Sequence, residues 1–295
     1  MRKQLTVITG GSSGLGLACA SCMAHETTLV LCARGPEKLA EAKKNLEAYG
    51  ADVILYPLDA SDRDAVQDAA AEIAKLGDIV HVIHTAGVSP ANTGRDDILR
   101  INLMGPIHVV EAFYPILAEG GTCILFGSTA GYALECDESK APLRTILNEI
   151  YEGWREPDFL DRFRSFLCDT VKLPEAHQAG MAYSISKRFV KYFVYANVQR
   201  FASRNCRILS VSPGSYLTPM HQALIENSPA SAERAMSGIP LKRWGHPYEI
   251  GKLVQFLCSK GAGYITGVDI LADGGCSYAG SVTQIDYCLL YTSDA

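Results

Sequence analysis

Tyr183 and Lys187 stand four residues apart in GMAYSISKRFVKYF (180–193), a stretch whose pattern predicts a helix. A spacing of four places a phenol and an ammonium on one helical face. Free tyrosine, with a pKa of ~10, is a poor proton carrier at neutral pH. An ammonium ~4 Å away at an effective dielectric of ~20 contributes about 4 kcal/mol, equivalent to ~3 pKa units. The pair is therefore expected to draw Tyr183 toward neutrality and to move a proton. The same spacing also arises by chance on surface helices, where it only pairs side chains. Its position after a strand ending in GSTAG, with Ser128, and before PGSYLTPM (213–220) favours chemistry.

A second cluster binds rather than reacts. VITGGSSGLG (7–16) runs an apolar strand into Gly10, Gly14 and Gly16. Glycines let the backbone turn tightly and approach a pyrophosphate. The first N–H groups of the helix that follows, across Ser12, Ser13, Gly14, Leu15 and Gly16, then point at it. Strand, turn and helix occur in the order that nucleotide binding requires. At the end of the next strand, where an acid would hold a ribose 2′-hydroxyl, the sequence has Ala33 and then Arg34. A guanidinium suits a 2′-phosphate, so NADP(H) is favoured. NAD(H) stays open if Arg34 only stacks on adenine or caps the next helix.

These residues need a scaffold, and the pattern supplies one. Apolar runs at 5–9, 28–33, 52–57, 79–84, 122–127, 206–211 and 267–271 predict seven strands. Helical patterns cover 36–49, 62–76, 96–118, 182–203 and 247–258. Continuously apolar strands alternating with helices imply an α/β fold: a doubly wound, parallel seven-stranded sheet in one domain spanning 1–287. Residues 132–178 break the alternation with two further helical patterns. One carries Leu143, Ile146, Leu147, Ile150 and Trp154, the other Phe159, Leu160, Phe163, Phe166 and Leu167. These stripes are expected to lie on the domain, to wall a pocket, or to pair with another subunit.

Composition removes several classes. The 295 residues are 48% hydrophobic with a net charge of −5, and no long basic run is present. A nucleic-acid partner is not expected. No apolar stretch approaches the ~18 residues of a membrane span. The basic tip MRK precedes an apolar run that the first strand requires, so it is not read as a leader. The ten cysteines are scattered in apolar surroundings and read as reduced core residues of a cytoplasmic protein. Cys19 and Cys22 form a C-x-x-C within a helix and are read as structural; no metal site is expected. The ending CLLYTSDA (288–295) reads as a translated sequencing-library adapter, which marks it as non-native and the source as metagenomic.

With the turn, the Tyr-x-x-x-Lys and a late DGG, the chain resembles the short-chain dehydrogenase/reductase family over residues 4–275, apart from the insert. The resemblance implies that Asp59 in LDASD contacts adenine. It implies that HTAG (84–87), with Ala86 and Gly87, matches the family's Asn-Ala-Gly; Thr85 replaces an asparagine that braces the sheet. Asn102, Ser128, Tyr183 and Lys187 match the catalytic four. Asn102 would anchor a water, Ser128 would orient the substrate oxygen, and Lys187 would also hold the ribose. Pro213, Gly214 and Thr218 match the loop closing on nicotinamide, with Thr218 at its carboxamide. Ser128 and Tyr183 are 55 apart, wider than the family's usual spacing. This looks like the branch with bacterial 3α-hydroxysteroid dehydrogenase/carbonyl reductases, whose insert alters subunit pairing and crowds the cleft. The implied activity interconverts a secondary alcohol and a ketone, such as a hydroxysteroid or bile acid, in a homodimer or homotetramer. The alternatives are a 3-oxoacyl-thioester or general carbonyl reductase and a non-enzymatic cofactor sensor or scaffold.

Overall fold

The computed structural model describes residues 2–135, 140–227 and 229–279. The ending 288–295 lies outside the described residues. The chain runs through β1 (Gln4–Thr9), α1 (Gly14–Met23), β2 (Thr28–Ala33), α2 (Pro36–Glu47), β3 (Val53–Pro57), α3 (Arg63–Leu76) and β4 (Asp78–His84). It continues through α4 (Arg95–Ile98), a π-helical turn (Leu99–Met104), α5 (Gly105–Phe113) and β5 (Leu117–Phe126). After β5 come α6 (Ala141–Glu152), α7 (Phe159–Ser165), α8 (Glu175–Ala202) and β6 (Arg207–Pro213). Last are α9 (Pro219–Asn227), α10 (Pro229–Ser237), α11 (Pro247–Cys258) and β7 (Asp269–Ala272).

The seven strands form one sheet in the order β3-β2-β1-β4-β5-β6-β7, and every pair is parallel. Parallel strands must be covered on both faces, which is why these runs are apolar without alternation. One face buries Val7, Val82 and Leu125 with Ile98, Val110, Phe189 and Val194. The other buries Ile8, Ile83 and Ile124 with Cys19, Ile250 and Val254. Gly251 sets the spacing of α1 and α11, since a Cβ there would stand 2.5 Å from Ala18 O and 2.6 Å from Cys22 Sγ. The order reverses between β1 and β4, and in such sheets ligands bind outside the strand C-termini at that point.

The helix expected over 96–118 is interrupted. Residues 99–104 widen into a π-helical turn because the Asn102 side chain leaves the helix to bond Val88: Val88 N donates to Oδ1 at 2.8 Å, and Nδ2 donates to Val88 O at 2.9 Å. Single π turns of this kind concentrate at functional sites.

The insert helices correct one expectation. Trp154, Phe159 and Phe163 do not wall a cleft or offer a face to a second subunit: they are 6%, 1% and 0% exposed. They pack on α8, with Trp154 edge-on to Phe193 at 4.8 Å and Phe159 5.4 Å from Phe189. Tyr151 joins them at 5.3 Å from Phe189, and its hydroxyl donates to Ile185 O at 2.9 Å. Apolar area on a helix goes where it loses most water, and α8 presents its own aromatic stripe to receive it. Arg164 and Arg95 both bond Asp96, which pins α7 to α4.

Candidate active site

The glycine turn leaves β1 with Gly10 at φ +73° and Gly14 at φ +54°, both in the left-handed region that favours glycine. Gly16 lies inside α1, where a Cβ would stand 2.4 Å from Thr85 Oγ1. Thr85 is the brace that the missing asparagine would supply: its N and Oγ1 both donate to Thr9 O, at 3.0 and 2.8 Å. Ser13 occupies the N-cap position of α1 but makes no side-chain cap bond. The first N–H groups of α1 are thus left for a ligand.

Thr218 follows β6 and closes on this turn, with its Cβ and Cγ2 3.7 Å from where a Cβ of Gly14 would stand. Gly214 permits that path, since a Cβ there would come within 2.7 Å of Asp273. Asp273 accepts from Gly275 N and Ser277 N, which is what the late DGG does.

Arg34 is exposed at the end of β2. Asp59 follows β3, and its Oδ1 accepts from Ser61 N at 2.9 Å and Ser61 Oγ at 2.7 Å. Burial works against its charge, but Ser61 and then the Arg100 and Arg34 guanidiniums hold its carboxyl below the usual range. Arg100, which no sequence motif singles out, bonds Ser61 and Asp97 and stands 4.0 Å from Asp59. The region after β2 and β3 thus carries two guanidiniums around one carboxylate.

The four candidate catalytic residues come from three segments. Asn102 sits in the π turn, Ser128 follows β5, and Tyr183 and Lys187 lie on α8. Gly87 brings two of them together: a Cβ there would be 3.1 Å from Asn102 Oδ1 and 3.5 Å from Lys187 Nζ. Lys187 Nζ donates to Phe126 O at 2.9 Å. Ser128 Oγ caps Ala130 N at 3.2 Å, and the hydroxyl also supports the Tyr183 phenolate.

Burial dominates the electrostatics at tyrosine. Burial pushes the Tyr183 phenol up, and Ser128 only partly opposes this. Lys187 does not offset it: Nζ is 5.8 Å from the ring centroid and bonds the Phe126 carbonyl. Burial also pushes the Lys187 amine down, to about 8. Both effects are desolvation, which disfavours the charged form of either group.

The residues present fit a nicotinamide dinucleotide: free N–H groups at a glycine turn, guanidiniums at the adenine end, and a buried amine beside the phenol. That group supplies the hydride when bound. The chain supplies the rest. It places the Ser128 hydroxyl against the Tyr183 phenol, with Lys187 and Asn102 meeting at Gly87.

Residues 4–137 match the short chain dehydrogenase family, and residues 168–277 match the enoyl-(acyl carrier protein) reductase family. The chain is 30% identical to the short-chain dehydrogenase/reductase bsc3 of Alternaria brassicicola, covering 92% of this chain and 95% of that one. It is 26% identical to the NADH-dependent L-xylulose reductase of Ambrosiozyma monospora, covering 92% and 94%. Its fold matches the Pseudomonas aeruginosa RhlG/NADP active-site complex with a TM-score of 0.71 at 22% identity, covering 94% and 97%. The chain belongs to the short-chain dehydrogenase/reductase family, whose members are NAD(P)-dependent oxidoreductases.

Proposed function

We propose that the protein interconverts a secondary alcohol and a ketone, with NADP(H) as the preferred cofactor. The observation that carries this is the convergence of Asn102, Ser128, Tyr183 and Lys187 at the strand C-termini beside the glycine turn. In the reducing direction, hydride reaches the carbonyl carbon and Tyr183 Oη gives its proton to the oxygen. A phenol kept protonated by burial suits that direction. Arg34 and the absence of an acid beside it support NADP(H). The reading as a sensor or scaffold is disfavoured because all four groups are retained.

A steroid or bile acid remains one arm of the substrate question, supported by the insert's place between Ser128 and Tyr183. Its aromatic residues do not support it, because they are spent on α8. The free cysteines, buried with thiols pushed up at Cys19, Cys32 and Cys123, support a reducing, cytoplasmic setting. A homo-oligomer is part of the same proposal.

The test is cofactor oxidation by the purified full chain with small ketones, 3-oxo steroids and bile acids, and 3-oxoacyl thioesters. We expect NADPH-dependent turnover of at least one class. No turnover of any carbonyl with either cofactor would overturn the assignment. Higher kcat/KM on small ketones or thioesters would remove the steroid arm.

A further inference from the structure

Ser128 reaches the site at the head of a 3₁₀ turn (Thr129–Tyr132) that it caps itself. Its Oγ accepts from Ala130 N at 3.2 Å, and its carbonyl accepts from Gly131 N at 2.9 Å. Gly131 lets this turn lie directly on α8 at Lys187: a Cβ there would stand 2.9 Å from Lys187 C and 2.9 Å from Arg188 N. A glycine has no side chain to lock the turn in place along the helix. The side chains that follow it do so.

Tyr132 ties the turn to the sheet. Its Oη donates to Asp269 Oδ2 at 2.6 Å, and Asp269 Oδ1 accepts from Ser210 Oγ at 2.5 Å and Ser212 Oγ at 3.0 Å. Burial first, then Asp269, pushes the Tyr132 phenol up, so it stays the donor. Glu135 ties the same segment to α8, where its Oε2 accepts from Lys191 Nζ at 2.5 Å. Lys191 is buried and lies one helical turn beyond Lys187 on the same face. Its ammonium also stands 3.5 Å over the Tyr132 ring, so one cation meets both ties. Arg188 is a second cation near Glu135, with Nε 3.7 Å from Oε1 and Nη1 donating to Asn148. None of the roles above uses Glu135 or Lys191.

We propose that the Glu135–Lys191 pair, with the Tyr132 ring under the same ammonium, holds Ser128 against Tyr183 and makes Glu135 and Lys191 positioning residues for proton transfer. Both stand outside the reacting groups: Lys191 lies two helical turns after Tyr183, about 12 Å along the axis. They act through the turn on the Ser128 hydroxyl, and the proposal rests on the reading of Ser128 and Tyr183 given above.

The experiment removes both charges at once, with Glu135→Gln and Lys191→Met in one full-length chain, because either change alone strands a buried charge and costs stability. The double change removes one charge of each sign and leaves the Arg188 bond to Asn148. It is made in the wild-type chain and in Ser128→Ala. Tyr132→Phe is a milder variant that keeps the ring and cuts only the tie to Asp269. We expect a Tm within a few degrees of the parent chain and NADPH affinity, measured by titration, within about twofold. We expect the single-turnover rate to fall about ten- to a hundredfold in the wild-type background and less than about twofold in Ser128→Ala. We also expect the 13Cζ resonance of Tyr183, assigned by its loss in Tyr183→Phe, to move in the direction that Ser128→Ala moves it. A merely structural pair would give an equal rate loss in both backgrounds. That result, or an unmoved Tyr183 resonance, would overturn the proposal. Tyr132→Phe is read in the same way and decides the question if the double change does not fold. A wild-type chain that turns over no carbonyl would fall on the catalytic reading, while the resonance would still decide this one.

Discussion

At the residue scale, Lys187 and Tyr183 answer to burial before they answer to each other. Each is held toward its neutral form, the amine at about 8 and the phenol above its ordinary value. The proposed reduction needs a protonated phenol and a charged amine behind it. Its kcat/KM is therefore expected to hold below pH ~8 and to fall above it as Lys187 loses its proton. A profile flat to pH ~10 would contradict this. At the other end of the cofactor cradle, Arg34→Asp removes the proposed 2′-phosphate partner and adds repulsion. It is expected to shift preference toward NADH by at least tenfold in the ratio of kcat/KM values, on the order of 1.4 kcal/mol. Arg100 remains in the variant, so residual NADPH use is expected; a wild type that already prefers NADH would refute the cofactor assignment. The side chains of this site were legible because their types and spacing carry the chemistry. Their partners were not: Lys187 bonds the Phe126 carbonyl and Asn102 bonds the Val88 backbone, and a backbone group has no letter in the sequence. Spacing gives the proximity of Tyr183 and Lys187 but not their desolvation.

At the element scale, the strands were legible because a sheet covered on both faces demands unbroken apolar runs, and each lies within a few residues of its expected place. The π turn was not, since it depends on Asn102 reaching a residue 14 positions away. The insert shows a different limit. Its amphipathic stripes were evident, but a stripe says only that a face is apolar, not what covers it. Here α8 covers it. Trp154→Ala is therefore expected to cost about 3–5 kcal/mol of stability, as for other buried aromatics, with KM for the carbonyl substrate unchanged. Urea unfolding beside steady-state kinetics measures both. A raised KM with intact stability would return Trp154 to the substrate cleft.

At the scale of the whole molecule, burial should make the fold acid-sensitive. His81 and His84 are held neutral, with pKa values lowered by burial from 6.5 to about 4 and about 3. Below pH ~6.5 the unfolded chain takes up protons that the folded chain refuses, so stability falls as pH falls toward 4. Asp52, Asp59 and Asp96, held below the carboxylate range in the fold, add to the loss at lower pH. Tm is expected to decline from pH 7.5 to 5, and His81→Gln should flatten part of that slope. A Tm constant over the range would contradict the burial of neutral imidazoles. The central claim is that the sheet's C-terminal edge brings a phenol, a hydroxyl and an amine onto one reacting oxygen. The most direct measurement is single-turnover NADPH oxidation, with the best carbonyl of the panel, by wild type and Tyr183→Phe, alongside NADPH affinity. The account predicts a fall of about 10²–10⁴-fold in rate, with affinity changed less than about twofold. A variant that keeps more than a few per cent of the wild-type rate would contradict it.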